Sequence, residues 1–245
     1  MSPSLTISLM IIGLLVGFSK TGFAGVGIVC AALLTALLPA KESMGSMLIL
    51  LIIGDIFAIR IYRGNVEWII LRKIMWPIFA GVLIGAYFLA RSSNDSLKHT
   101  IGWIVLLLSI SFPLSKGLQN RTEDLGNFSR IIGNMLGMLT GFMSMVSNSG
   151  GPPMSLFLLL RGVPVMQFVG TNAWIFFFIN QMKLPFALWL GMINLHSLQY
   201  LLPTLPMMPI GAFLGRKFIS KIDQKLFQKI TLVAAFLAGL NLIIR

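Results

Sequence analysis

Apolar runs of membrane-spanning length recur from one end of this chain to the other, and no other feature limits its fold so strongly. They cover approximately residues 5–38, 43–61, 70–90, 98–115, 131–161, 164–182, 184–216 and 227–244. A helix needs about 20 apolar residues to cross the hydrocarbon core, so the chain has room for roughly eight to ten membrane elements joined by short loops. The runs are continuous rather than alternating, which excludes a membrane barrel, and in lipid only a helix satisfies its backbone hydrogen bonds within one segment. The predicted fold class is all-α, a polytopic membrane helix bundle forming a single transmembrane domain over residues 1–245.

Composition agrees, with 56% hydrophobic residues and 11% charged ones. The N-terminal "MSPSLTISLM" has no basic n-region and no small-residue cleavage site, so it is expected to stay as the first membrane element. A net charge of +12 in a soluble protein would suggest nucleic acid, but here the basic residues sit mainly in a few interhelical loops, as the positive-inside rule predicts. The expected surrounding is the lipid bilayer, with no nucleic-acid partner. Cys30 stands alone in an apolar run, and His99 and His196 stand far apart, so no metal site, disulfide or cofactor is expected. With seven carboxylates, mostly in loops, and no serine–histidine–carboxylate constellation, the chain does not read as an enzyme.

The chain compares with itself. "GLLVGF" at 13–18 matches "GMLTGF" at 137–142, an offset of 124. Gly27 then faces Gly151 at 124, Gly45-Ser46 faces Gly170-Thr171 and Asp55 faces Asn180 at 125, and Pro77 faces Pro203 at 126. The ordered series predicts two related halves, repeat 1 over 5–115 and repeat 2 over 131–244, joined by a polar cytoplasmic linker at 116–130. Each half opens with a run of about 30 residues broken by a polar, glycine-rich centre, "SKTGFAG" at 19–25 and "SNSGGPP" at 147–153. Arms of about 15 residues make about 22 Å of helix and are not expected to cross alone. The breaks are therefore re-entrant hairpins or interruptions of one helix. With hairpins, three crossings remain per half, an odd number that makes the halves inverted and places 13 of the 19 basic residues inside, with Lys183 counted outside. The interrupted-helix alternative scores the same on charge but gives the halves unequal numbers of passes.

An intramembrane lysine costs on the order of 3 kcal/mol, so Lys20 is expected to face a cavity or a partner, and pairing with Asp55 or snorkelling to an interface are its structural alternatives. Broken helices expose backbone N–H groups where their second arms begin, and helix N-termini favour anions. The breaks supply Ser19, Thr21, Ser147, Asn148 and Ser149 as hydrogen-bond donors, Gly150 and Gly151 for close approach, and Lys20 as the fixed charge. Such a set suits a small oxyanion. Asp55 is a candidate coupling carboxylate, with an ion pair as the structural alternative. Asn172 and Gln181, on the same apolar helix as Asn180, are expected to line the path, or else to bond between helices. Gly13, Gly17, Gly137 and Gly141 read as helix-packing positions.

The stretches "GLLVGFSKTGFAGVG", "GMLTGFMSMVSNSGGPPMSLFLLLRG" and "GTNAWIFFFIN" resemble the sulfite exporter TauE/SafE family, also called the 4-toluene sulfonate uptake permease family, over nearly the whole chain. The resemblance implies transport of small sulfur-containing anions, such as sulfite, sulfoacetate and other organosulfonates, across the bacterial cytoplasmic membrane by a homodimer of inverted repeats. An anion channel, or a carrier of a different oxyanion or carboxylate, shares the site but not the mechanism or substrate. Lys20 occupies the "GFSKTG" position of the first motif, where many members carry other residues, so its charge points to this protein's own substrate.

Overall fold

The computed structural model describes residues 3–22, 26–38, 40–91, 126–193, 198–199 and 201–244. The expected crossing at 98–115, most of the expected linker and residues 23–25 of the first break lie outside them. The described elements are α1 (Pro3–Thr21), α2 (Val26–Leu37), α3 (Ala40–Tyr62), α4 (Trp68–Arg91), α5 (Gly126–Ser147), α6 (Gly151–Leu160), α7 (Val165–Trp189), a 3-10 turn (Leu202–Thr204), α8 (Met207–Ile219) and α9 (Gln224–Ile244). No strand occurs among the described residues.

Three helices, Pro3–Thr21, Glu42–Tyr62 and Trp68–Arg91, are long and apolar enough to cross a membrane. The chain is a helical membrane protein in its surfaces as well. Trp76 is 77% exposed and Trp189 75%, whereas Asp55, Asn180 and Thr140 have no exposure at all. A soluble domain covers its large aromatic side chains and keeps carboxylates in water; here tryptophans face outward while a carboxylate is buried.

The arms at the two breaks are less equal than the apolar runs suggest. α1 has 19 residues and α5 has 22, about 28 and 33 Å of helix, long enough to cross. α2 has 12 and α6 has 10, about 18 and 15 Å, and are not. The first arms grow because helix continues through the polar "PSLT" and "GNFSR" that precede each apolar run; hydropathy marks where a side chain prefers lipid, not where backbone hydrogen bonding starts. Each second arm packs against its own first arm. A Cβ at Gly150 would lie 2.6 Å from the Thr140 carbonyl and 2.9 Å from Ser144 Cβ, so the absence of a side chain lets the turn close onto α5.

The chain divides into two compact units: unit 1, Met1–Val66 with Val169–Ile222, and unit 2, Glu67–Phe168 with Asp223–Arg245. In unit 1, α1 packs on α8. A Cβ at Gly17 would strike the backbone of Met208 and Ala212, and one at Gly211 the backbone of Leu14 and Phe18. In unit 2, α5 packs on α4. There Gly141 meets Ile78 and Val82, and Gly81 meets Met138 and Phe142. The two sets correspond position by position, with α1 and α5 offset by 124 and α4 and α8 by 130. The register that aligns Pro77 with Pro203 is thus replaced, at the level of contacts, by one aligning "GVLIG" at 81–85 with "GAFLG" at 211–215. Backbone approach at glycine sets it, because helices in lipid associate through close packing of small residues.

Unit 1 also brings α3 and α7 together. A Cβ at Gly45 would strike Met192, one at Gly170 would strike Asn65, and Asp55 bonds Asn180. Residue numbers rise along α3 as they fall along α7, so the two helices run in opposite directions. Beneath them lies the core of Leu9, Ile12, Val16, Leu34, Met47, Leu50 and Met208, all nearly inaccessible. In unit 2 the side chain of Gln224 spans the turn before α7, accepting from Val165 N–H at 2.9 Å and donating to the Val163 carbonyl at 3.2 Å.

Candidate functional site: a buried charge chain

The end of α1 is held from two sides. Thr21 Oγ1 donates to the Ala212 carbonyl at 2.7 Å, and Tyr62 Oη donates to the Thr21 carbonyl at 2.6 Å. The carbonyls that end a helix otherwise lack partners; Tyr62 of α3 supplies one to the Thr21 carbonyl, and the Thr21 hydroxyl separately ties the helix end to α8. The fixed last turn presents Lys20 inward. Its stem runs past Gly54, where a Cβ would lie 2.9 Å from Lys20 Cγ, so glycine makes the path for the lysine beside Asp55.

Lys20 Nζ forms an ion pair with Asp55 Oδ1 at 2.6 Å, the carboxylate being fully buried and the lysine side chain 11% exposed. The ammonium also stands 5.4 Å from the ring centroid of Phe176 in α7, within the range of a cation–π contact. Asp55 Oδ2 accepts from Asn180 Nδ2 at 2.7 Å, and Asn180 Oδ1 lies 3.5 Å from Lys183 Nζ. An amide donates from one end and accepts at the other. Asn180 therefore links a carboxylate to an ammonium, and Lys20, Asp55, Asn180 and Lys183 make one chain across α1, α3 and α7.

Of the alternatives for Lys20, the pairing with Asp55 is the one this geometry contains. Lys183, counted as an external charge because it separates two apolar runs, is 3% exposed. α7 continues through it to Trp189, and its spacing of three from Asn180 was the available signal. On that continuous helix Asn172, Phe176, Asn180 and Lys183 fall within about 80° of one another, while Gln181 lies about 180° from Asn172. The stripe is thus carried by Lys183 rather than Gln181. Both Asn172 and Gln181 are half-buried, and Asn172 Oδ1 has no hydrogen-bond partner among the described residues. Ser19 is buried, its Oγ 3.1 Å from where a Cβ of Gly27 would stand.

The second break lies in unit 2. Asn148 takes φ of +54°, and its N–H bonds the Ser144 carbonyl at 3.1 Å, which is how a left-handed residue ends a helix. Ser147 Oγ donates to the Met143 carbonyl and Ser149 Oγ to the Ser147 carbonyl, both at 3.1 Å. Gly150 caps α6, and Pro152 and Pro153 follow Gly151. Proline carries no N–H, so among the first three helical residues only Gly151 offers one. The donors here are fewer than the residue types suggest, because the hydroxyl protons already serve backbone carbonyls. Among the described residues no three His, Cys, Asp or Glu side chains are grouped to hold a metal.

The family model described as sulfite exporter TauE/SafE matches residues 9–242, nearly the entire chain. The chain belongs to the sulfite exporter TauE/SafE family. Its members are membrane transporters of sulfur anions such as sulfite, and a multi-pass helical bundle in the cell membrane accords with that work. No curated protein and no solved structure matches the chain.

Proposed function

We propose that this TauE/SafE member is a secondary transporter, an exporter or permease, that carries sulfite or a short organosulfonate of the sulfoacetate type by alternating access. The observation that carries the reading is the buried chain of Lys20, Asp55, Asn180 and Lys183. Two lysines and one carboxylate stand together inside the helix bundle, where ionisable side chains are costly and mark substrate pathways. Lys20 and Lys183 attract the anion, Asp55 competes for Lys20, and exchange of one anion for the other loosens the contact between α1 and α3. Ser19, Thr21, Ser147, Asn148, Ser149 and Gly150 mark where the bundle's helices break, and Asn172 lies on the helix stripe that holds the chain.

Alternating access is supported by the antiparallel pairing of α3 and α7 through Gly45 with Met192, Asp55 with Asn180 and Asn65 with Gly170. Exchanging the two segments maps Asp55–Asn180 onto itself and Gly45–Met192 onto Gly170–Asn65 to within two residues, as expected for inverted copies about a local two-fold axis. Inverted halves supply the two equivalent states that face opposite sides of a membrane.

The test is counterflow in proteoliposomes. Purified protein preloaded with unlabelled sulfite or sulfoacetate should accumulate the labelled anion with saturable kinetics. Large unitary currents without saturation would indicate a channel, and no flux of any sulfur anion would remove the substrate assignment.

A further inference from the structure

Resting on the transporter reading above, we propose that Asp55 is a proton site coupled to the anion at Lys20, so that the chain carries one proton with each anion and works as a symporter. The two members of the ion pair differ in access. The Asp55 carboxylate is fully buried, whereas the Lys20 side chain is 11% exposed. Lys20 is thus the member that an anion can reach, yet its ammonium is held by Asp55 Oδ1 at 2.6 Å. Phe176, its ring centroid 5.4 Å from Nζ, gives the ammonium a second contact that persists when the carboxylate lets go.

An anion that takes Lys20 leaves Asp55 as a buried carboxylate without that partner. Such a group is costly as an ion and is neutralised instead. Binding therefore breaks the contact of Lys20 Nζ with Oδ1, sets the ammonium on the anion and places a proton from water on Oδ1. Oδ2 stays with Asn180 Nδ2 at 2.7 Å, a hydrogen bond that serves the acid as well as the carboxylate because the amide keeps its donor in both. Asn180 thereby decides which oxygen takes the proton. Asp55 is the one buried carboxylate among the described residues. The charges that act on it are Lys20 from α1 and Lys183 from α7, which meets Asn180 Oδ1. α2 brings Cys30, set in the apolar core, and α8 brings Arg216 and Lys217 in its last turn, where Arg216 reaches the Ile61 carbonyl. Along α3 itself the nearest charge, Arg60, is exposed. By linkage, proton and anion each strengthen the other's binding by the same factor, and the empty site closes on its own ion pair.

Calorimetric titration of the purified full chain in detergent tests the coupling with sulfoacetate, whose carboxylate, like its sulfonate, stays ionised between about pH 6 and about pH 8. Repeated in buffers of different ionisation heat, it should show about one proton taken up per anion, with affinity rising about tenfold for each unit that the pH is lowered. Binding without proton uptake overturns the proposal. Folded Asp55→Asn should bind sulfoacetate with no proton uptake and an affinity that pH no longer changes; uptake that persists there overturns the assignment to Asp55. If the variant does not fold, infrared difference spectra of the wild type decide. A protonated-carboxyl band gained on adding sulfoacetate supports the proposal, and its absence overturns it. In proteoliposomes with the membrane potential clamped, an alkaline lumen should draw sulfoacetate inward against its own gradient. Counterflow without that accumulation overturns the coupling and leaves the transporter reading standing, whereas no flux of any sulfur anion overturns both.

Discussion

Asn180 Nδ2 donates to Asp55 Oδ2 at 2.7 Å across 125 residues of sequence, and these are the positions that the comparison of the two halves pairs with each other. One is charged and the other neutral. A carboxylate at both would set two negative charges side by side in the bundle, where like charges repel strongly. An amide instead donates to Asp55 through Nδ2 and presents Oδ1 as an acceptor to Lys183.

The dependence of Asp55 on its partner gives the first expectation. Lys20→Met leaves a fully buried carboxylate without its ammonium, and removing one member of a buried pair costs about 3–5 kcal/mol. Lys20→Met/Asp55→Asn removes both charges and should recover most of that loss. Thermal unfolding in detergent reads the difference directly. Equal losses in the single and double variants would show that the ion pair is not what the folded bundle needs.

The glycine contacts give a matched pair. Gly17→Ala and Gly141→Ala each drive a Cβ into the backbone of the facing helix, and overpacking of this kind costs about 1–3 kcal/mol. The two losses should be similar, because the contacts are equivalent in the two units. Gly64 has nothing within 4 Å of a Cβ, so Gly64→Ala should leave the unfolding temperature unchanged. A large loss at only one of the paired sites would break the equivalence.

Much of this was legible in the sequence, and the parts that were not have physical causes. Apolar run length gave α3 and α4 within a few residues, because their ends are marked by charged and turn residues such as Arg60, Gly64 and Arg91. The first arms came out too short, since "PSLT" and "GNFSR" are polar yet helical. Lys183 was misplaced for the converse reason: a single charge between apolar runs looks like a loop, and only tertiary packing shows that α7 carries it inside. Lys20 and Asp55 stood out as charges in apolar runs. Their pairing was among the alternatives the sequence offered for Lys20, but nothing there selected it, because Gly54, which clears the path, was indistinguishable from the other glycines.

Tyr62 offers a test of what holds the first break. Its hydroxyl donates to the Thr21 carbonyl from a side chain that is 1% exposed. Tyr62→Phe keeps the ring packing and leaves that carbonyl without its donor, which costs about 1–3 kcal/mol when the group is buried. Since the same turn orients Lys20, substrate affinity should fall together with the unfolding temperature. An unfolding temperature equal to wild type would mean that the Ala212 contact alone holds the end of α1.

Asn148 separates the structural role of the second break from its role in binding. Its φ of +54° lies in the left-handed region, which glycine occupies freely and alanine only with strain of about 1 kcal/mol. Asn148→Gly should therefore unfold at or near the wild-type temperature, whereas Asn148→Ala should unfold earlier. Transport divides the two differently. If the amide contacts the anion, both substitutions lower the rate of counterflow to a similar extent, although only alanine disturbs the turn. If the residue serves only to end α5, Asn148→Gly transports like the wild type and Asn148→Ala loses activity in proportion to its lost stability. Measuring unfolding and sulfoacetate counterflow on the same two preparations decides between these outcomes, and full transport by Asn148→Gly would remove Asn148 from the binding site.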